Sequence, residues 1–118
     1  MLEVEKLKNI NEFEDKSLLI VDDDNPFRER LARAMQKKGF LVSQAEGVKN
    51  GIISVQSKTP AFAVVDLRLN DGNGLEVVKE IQKNNSKSRI IMLTGYGNIS
   101  TAVAAIKGGA IDYLAKPT

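Results

Sequence analysis

Phe62-Ala63-Val64-Val65-Asp66-Leu67, with Pro60 before it and Asn70-Asp71-Gly72-Asn73-Gly74 after it, decides the fold. Four apolar residues, two of them β-branched, run straight into an aspartate. A short continuous apolar run between turn signals reads as a fully buried strand of a parallel sheet. A carboxylate at the carboxyl end of such a strand stands where open α/β sheets bind ligands. Taken alone, Asp66 would serve equally well as an ordinary turn residue.

Three other runs have the same form. Ser17-Leu18-Leu19-Ile20-Val21 ends in Asp22-Asp23-Asp24, Arg89-Ile90-Ile91-Met92-Leu93 ends in Thr94-Gly95, and Asp112-Tyr113-Leu114-Ala115 ends in Lys116-Pro117. Phe40 to Ala45 adds a fifth strand. Between the strands lie helical patterns. Phe27, Leu31, Ala34 and Met35 mark the first, opened by Asp24-Asn25-Pro26 and stopped by Gly39. Asp24 or Asn25 can cap it, and proline suits a first helical position. Val48, Ile52, Ile53 and Val55 mark the second, and Leu75, Val77, Val78 and Ile81 the third. Ile99, Ala102, Val103 and Ile106 mark a fourth, ended by Gly108-Gly109. Strands alternating with helices through short links predict an α/β fold, a parallel sheet with helices on both faces. In that fold an acidic cluster, an Asp, a hydroxyl and a Lys gather at one sheet edge.

The bulk composition narrows the chemistry. The chain has 118 residues, which is one domain; 42% are hydrophobic, 27% are charged and the net charge is +2. No Lys/Arg block offers a nucleic-acid surface. The absence of cysteine excludes disulfides, thiolate metal sites and Cys nucleophiles, and the absence of histidine excludes Ser-His triads and His metal sites. No apolar run approaches the ~20 residues of a membrane span and no signal peptide is visible, so the expected compartment is the cytoplasm, with no membrane partner. Residues 1–16 form a charged arm, either frayed or a short amphipathic helix, carrying Leu2, Val4, Leu7, Ile10 and Phe13.

Asp22, Asp23 and Asp66 brought together would repel unless a cation lay among them. Carboxylates without His or Cys suit Mg²⁺, which keeps several waters. Add Lys116 and the Thr94 hydroxyl, and the set fits phosphoryl transfer, which relies on positioning and charge neutralisation. One carboxylate must then be the nucleophile. Asp66, alone on the central strand, is the best placed. Asp24 is expected to be only a helix cap. Asp71-Gly72-Asn73-Gly74 lacks the later acidic spacing of an EF-hand.

These residues carry a resemblance. Leu19-Ile20-Val21-Asp22-Asp23-Asp24, Val64-Val65-Asp66-Leu67, Gly74, Leu93-Thr94-Gly95 and Asp112-Tyr113-Leu114-Ala115-Lys116-Pro117 resemble, in order and spacing, the receiver domain of bacterial two-component response regulators. The resemblance covers about Ser17 to Thr118. It implies a flavodoxin-like (CheY-like), doubly wound, five-stranded sheet of order 2-1-3-4-5. It makes residues 17–118 a receiver domain that stops before the family's fifth helix. Asp66 matches the phosphoacceptor, Asp23 a direct Mg²⁺ ligand, and Asp22 a ligand through water. Arg68 would lend its backbone carbonyl to the metal. Thr94 matches the switch hydroxyl, Tyr113 the switch aromatic, and Lys116 the lysine before a cis proline. Asn70 departs from the family's frequent proline.

More narrowly, Asp66-Leu67-Arg68-Leu69, Asp71-Gly72-Asn73-Gly74-Leu75 and Thr94-Gly95-Tyr96-Gly97-Asn98-Ile99 resemble the redox-responsive RegA/PrrA/ActR group. The implied partners are a sensor histidine kinase, a second copy through the face of the fourth helix and fifth strand, and DNA only through an output domain outside this chain. The implied role is a phospho-accepting switch in transcription that catalyses only its own phosphorylation and slow dephosphorylation. The rivals are a Mg²⁺-dependent phosphohydrolase and a receiver-like module that is never phosphorylated. A phosphohydrolase of this fold usually carries a second acid two residues beyond the nucleophile, where this chain has Arg68; an unphosphorylated module usually lacks the acidic pair. Without a fifth helix, the sheet face beside the first helix is expected to be bare. The arm's Leu2, Val4, Leu7 and Ile10 are expected to fold against it or against a second molecule.

Overall fold

The computed structural model describes residues 14–94 and 112–116, with backbone only at Thr94 and Tyr113. The expected contacts of residues 1–13, the fourth helix and the peptide bond to Pro117 lie outside the described residues.

The elements alternate as expected: β1 (Ser17–Val21), α1 (Asn25–Lys37), β2 (Leu41–Ala45), α2 (Val48–Ser57), β3 (Phe62–Asp66), α3 (Leu75–Asn84), β4 (Arg89–Thr94) and β5 (Asp112–Ala115). The five strands form one sheet of order β2-β1-β3-β4-β5, and every pairing is parallel. This is the doubly wound order implied by the resemblance. One element was not foreseen: Arg68–Leu69 pairs antiparallel with Gly72–Asn73 in a small hairpin after β3. Its strands are too short for any periodicity to show.

Caps set the limits of α1. The Asp24 carboxylate accepts from Phe27 N at 3.1 Å, and Pro26 follows in the first turn. At the far end Gly39 takes φ 104°, while Phe40 N donates to Met35 O and Gly39 N to Gln36 O. That is the left-handed glycine stop that closes many helices. The buried stripe of α1 is rotated from the expected one. Arg28 and Ala32 are buried, whereas Ala34 is exposed.

Alternate strand residues point to opposite faces. Leu19, Val21, Val65, Ile90 and Met92 pack under α2 and α3 against Val55, Val77, Val78 and Ile81. Leu18 and Ile20 face α1 with Ala32, flanked by Phe40 and Phe62 in an edge-to-face pair at 5.2 Å. The first face is closed and the second is half closed. An apolar cavity of about 270 Å³ lies on it between Leu18, Met35, Phe40, Phe62, Val64 and Ile91. Leu114 of β5 is 51% exposed. So β3 is not buried throughout, as its run of apolar residues suggested. Ala63 and Val65 are buried, but Phe62 and Val64 are half-buried because α1 alone covers their side among the described residues.

The two faces predict different sensitivities. Ile81→Ala should cost about 2–5 kcal/mol by urea unfolding, as a filled core site does. Leu114→Ala should cost a small fraction of that. Equal losses would mean that the second face is covered in solution.

Candidate functional site

The ladder brings the expected residues to one level. Val21 pairs with Val65, Asp66 with Leu93, and Thr94 with Ala115, so Asp22, Asp66 and Lys116 leave their strands at the same edge. Asp22 is fully buried, Asp66 is buried and Asp23 is half-buried. One carboxylate oxygen from each lies within 4.8 Å of the others. Lys116 Nζ donates to Asp22 Oδ1 at 3.1 Å and to Asp66 Oδ2 at 3.3 Å, and it stands 3.0 Å from Asp22 Oδ2. The Phe27 ring lies 4.9 Å from the same ammonium, a cation–π contact from the start of α1. Asp22 Oδ1 also accepts from Asp24 N at 2.9 Å, and Asp66 Oδ1 from Arg68 N at 3.3 Å.

Burial pushes the Asp66 carboxyl above the usual carboxylate range, and the neighbouring Asp22 charge adds to this; Lys116 opposes both. Burial alone would pull Lys116 down, but its hydrogen bond to Asp22 and the Asp66 and Asp22 charges hold it above the ordinary lysine value. One ammonium thus contacts two of three clustered carboxyl groups. Asp22 Oδ2 is buried and near the ammonium, yet no hydrogen-bond donor is aligned on it. A buried oxygen with no aligned donor can serve as a cation ligand, and an all-oxygen set suits a hard one. Asp22, Asp23 and Asp66 are therefore the side chains that fit a divalent metal.

The loop after β3 is shaped by close packing. A Cβ at Gly74 would collide with the Asp66 carbonyl oxygen, and Gly74 N donates to Leu67 O at 2.7 Å. Leu75 N donates to Asn73 Oδ1 at 2.8 Å while Glu76 accepts from Asn73 N at 3.3 Å, a reciprocal cap that starts α3. Asp71 turns away from the acidic cluster. It accepts from Val48 N at 2.7 Å and Lys49 N at 3.1 Å, and these bonds hold its carboxyl below the usual range. It caps α2 in place of Gly47, which has no side chain to offer. The calcium-loop alternative fails on this point. Asn70 stands beside Asp71 at the tip of the hairpin.

Thr94 ends β4, and Tyr113 of β5 pairs with Met92 of β4; the side chains of Thr94 and Tyr113 lie outside the described residues. Arg68 is exposed at the start of the hairpin. Sequence reasoning missed Arg28, a buried guanidinium that donates to the Asp22 carbonyl oxygen at 2.8 Å. The available signal was its place four residues before Ala32 on the sheet-facing side of α1.

A carboxyl held above its unfolded value binds its proton more tightly in the native state, so ionised Asp66 costs stability at neutral pH. That cost begins to fall as the pH drops through the native value and is gone below the unfolded value near ~3.9. Asp66→Asn should therefore melt above wild type at neutral pH, by a few degrees per ~1 kcal/mol of relieved cost. The gain should vanish in acid, as followed by calorimetry across pH. A variant that melts lower than wild type at neutral pH would mean that the ion pair with Lys116 outweighs burial and repulsion.

Residues 18–118 match the family described as the response regulator receiver domain. The photosynthetic apparatus regulatory protein RegA of Rhodobacter capsulatus is 60% identical over 103 residues, 87% of this chain and 56% of that protein. The acid tolerance regulatory protein ActR of Rhizobium meliloti is 58% identical over 103 residues, 87% of this chain and 53% of that protein. The chain thus spans about half the length of the curated relatives it matches. A response regulator from Burkholderia pseudomallei, solved with a phosphorylated aspartic acid, calcium ion and citrate, superposes with a TM-score of 0.82 at 38% identity, over 88% of this chain and 61% of that one. A CheY-like receiver domain protein from Methanospirillum hungatei gives 0.82 at 28% identity, over 89% and 84%. Sheet order, family match and two regulators near 60% identity agree: the chain belongs to the receiver domains of two-component response regulators.

Proposed function

We propose that Asp66 accepts a phosphoryl group from the phosphohistidine of a sensor histidine kinase, with Mg²⁺ held by Asp22, Asp23, Asp66 and the Arg68 carbonyl. The observation that carries this is the Lys116 ammonium, 3.0 Å from buried Asp22 and 3.3 Å from buried Asp66. A carboxylate oxygen of Asp66 attacks phosphorus. A P–O bond forms, the donor's P–N bond breaks, and its electron pair returns to the imidazole. The chain has no histidine, so the donor ring comes from the partner. Bound Mg²⁺ supplies charge neutralisation on the phosphoryl oxygens. Lys116 adds a flexible point charge that reaches the acceptor carboxylate and an incoming phosphoryl oxygen alike.

The Thr94 hydroxyl then moves toward the phosphate, Tyr113 turns inward, and the face beside β5 changes. Likeness to RegA and ActR supports an output in transcription, with DNA bound by a segment outside these residues. A phosphohydrolase is disfavoured by Arg68, a cation where a leaving-group acid would stand.

Intact-mass analysis with acetyl phosphate should show one added phosphoryl group, and only with Mg²⁺. Asp66→Asn should abolish it; labelling at the wild-type level would displace Asp66 as acceptor. Asp23→Ala should weaken Mg²⁺ binding more than Thr94→Ala, and equal titrations would remove Asp23 from the metal site. Lys116→Ala should retain some labelling while the Tyr113 ring resonances no longer respond to it. A Tyr113 response that survives in Lys116→Ala would refute the coupling.

A further inference from the structure

The connection that carries Asp22 and Asp23 is anchored from beneath by one side chain. Arg28 stands in the first turns of α1, faces the sheet and is only 9% exposed. A guanidinium does not lose its proton inside a protein, so a full charge is buried there. Burying a charge is costly unless it is paired and hydrogen-bonded. Among the described residues, however, the hydrogen-bond partners of Arg28 are all neutral oxygens. Its Nη1 donates to the Asp22 carbonyl at 2.8 Å and to Asn25 Oδ1 at 2.7 Å, and its Nε donates to Gln44 Oε1 at 2.9 Å.

Those acceptors sit on three pieces of chain: the connection after β1, the first residue of α1, and the edge strand β2. The rigid fork of a guanidinium can span them, whereas an ammonium cannot hold the same planar set. The Asp22 backbone is gripped on both sides, because its amide also donates to Ala45 O of β2 at 3.0 Å. Here a buried cation is spent on holding the carbonyl of the residue whose carboxylate enters the acidic cluster.

We infer that Arg28 is a positioning residue for the cation site: it fixes the backbone at Asp22 so that the Asp22 and Asp23 carboxylates meet Asp66 before a metal arrives. This rests on the proposed Mg²⁺ site. Two effects of the guanidinium have opposite signs. Its charge repels Mg²⁺, so if charge were its whole influence, Arg28→Met would tighten binding and Arg28→Lys would leave it unchanged. If the anchor dominates, both variants bind Mg²⁺ more weakly.

Isothermal titration with MgCl₂, well below each variant's melting temperature, separates these cases. The dissociation constant should rise about tenfold or more in both Arg28 variants, the loss typical of partners just outside a metal's ligands. Val55→Ala, a core variant on the opposite sheet face, controls for lost stability and should bind as wild type. Unchanged or tighter binding in the Arg28 variants, or equal weakening in Val55→Ala, overturns the inference while the Mg²⁺ site stands. If wild type takes up no Mg²⁺, the site reading falls and the inference with it. Should neither Arg28 variant fold, Gln44→Leu removes the β2 acceptor alone. A several-fold weaker Mg²⁺ affinity there supports the anchor, and wild-type affinity overturns it.

Discussion

The contact between Lys116 and the carboxylates of Asp22 and Asp66 governs the rest of the structure. It joins residues 94 and 50 positions apart, at the ends of β5, β1 and β3. Without a positive charge at that point, buried carboxylates at the ends of adjacent parallel strands would repel one another or take up protons. With one ammonium the edge is held but undercharged. That leftover deficit invites a metal and keeps the Asp66 carboxyl above its ordinary range. The carboxyl proposed to accept the phosphoryl group is therefore also one that the fold holds at a cost, as expected where sites are maintained at a cost in stability.

Most of the architecture could be seen in the chain because strands and helices carry strong periodic signals. Four of the five strands end where an apolar run meets polar residues, and the candidate site residues are among those polar residues; β2, with Ser43 and Gln44 inside it, supplies none. What escaped had physical reasons. The hairpin at Arg68–Leu69 and Gly72–Asn73 is too short to have a period, and only its Asn70-Asp71-Gly72 turn hinted at it. The stripe of α1 was misplaced by about one residue because Arg28 does not look like a core residue, although its stem and bonds put it there. The four apolar residues of β3 promised burial on both faces. A run of that kind states what a strand tolerates, whereas the actual cover comes from other elements, and Phe62 and Val64 have only α1 on their side among the described residues.

The acidic triad was legible as a set rather than residue by residue. Asp24 looks like Asp22 and Asp23 in sequence, yet its carboxylate is used on Phe27 N. What sets Asp24 apart is the helix it opens, a role its place before Asn25-Pro26 already suggests. Asp71 illustrates the converse. Its neighbours suggested a metal loop, and its oxygens are taken by backbone amides of another helix.

That remote cap has a consequence for how the chain folds. A helix usually brings its own first-turn acceptor, so its end can form as soon as the local sequence exists. The amides at the start of α2 instead wait for a carboxylate more than twenty residues later in the chain. The first turn of α2 and the hairpin that follows β3 must therefore order together, as one cooperative unit in hydrogen exchange. Loosening of the hairpin would fray α2 at the same moment, and a ligand that stills the hairpin would slow exchange at Val48 and Lys49.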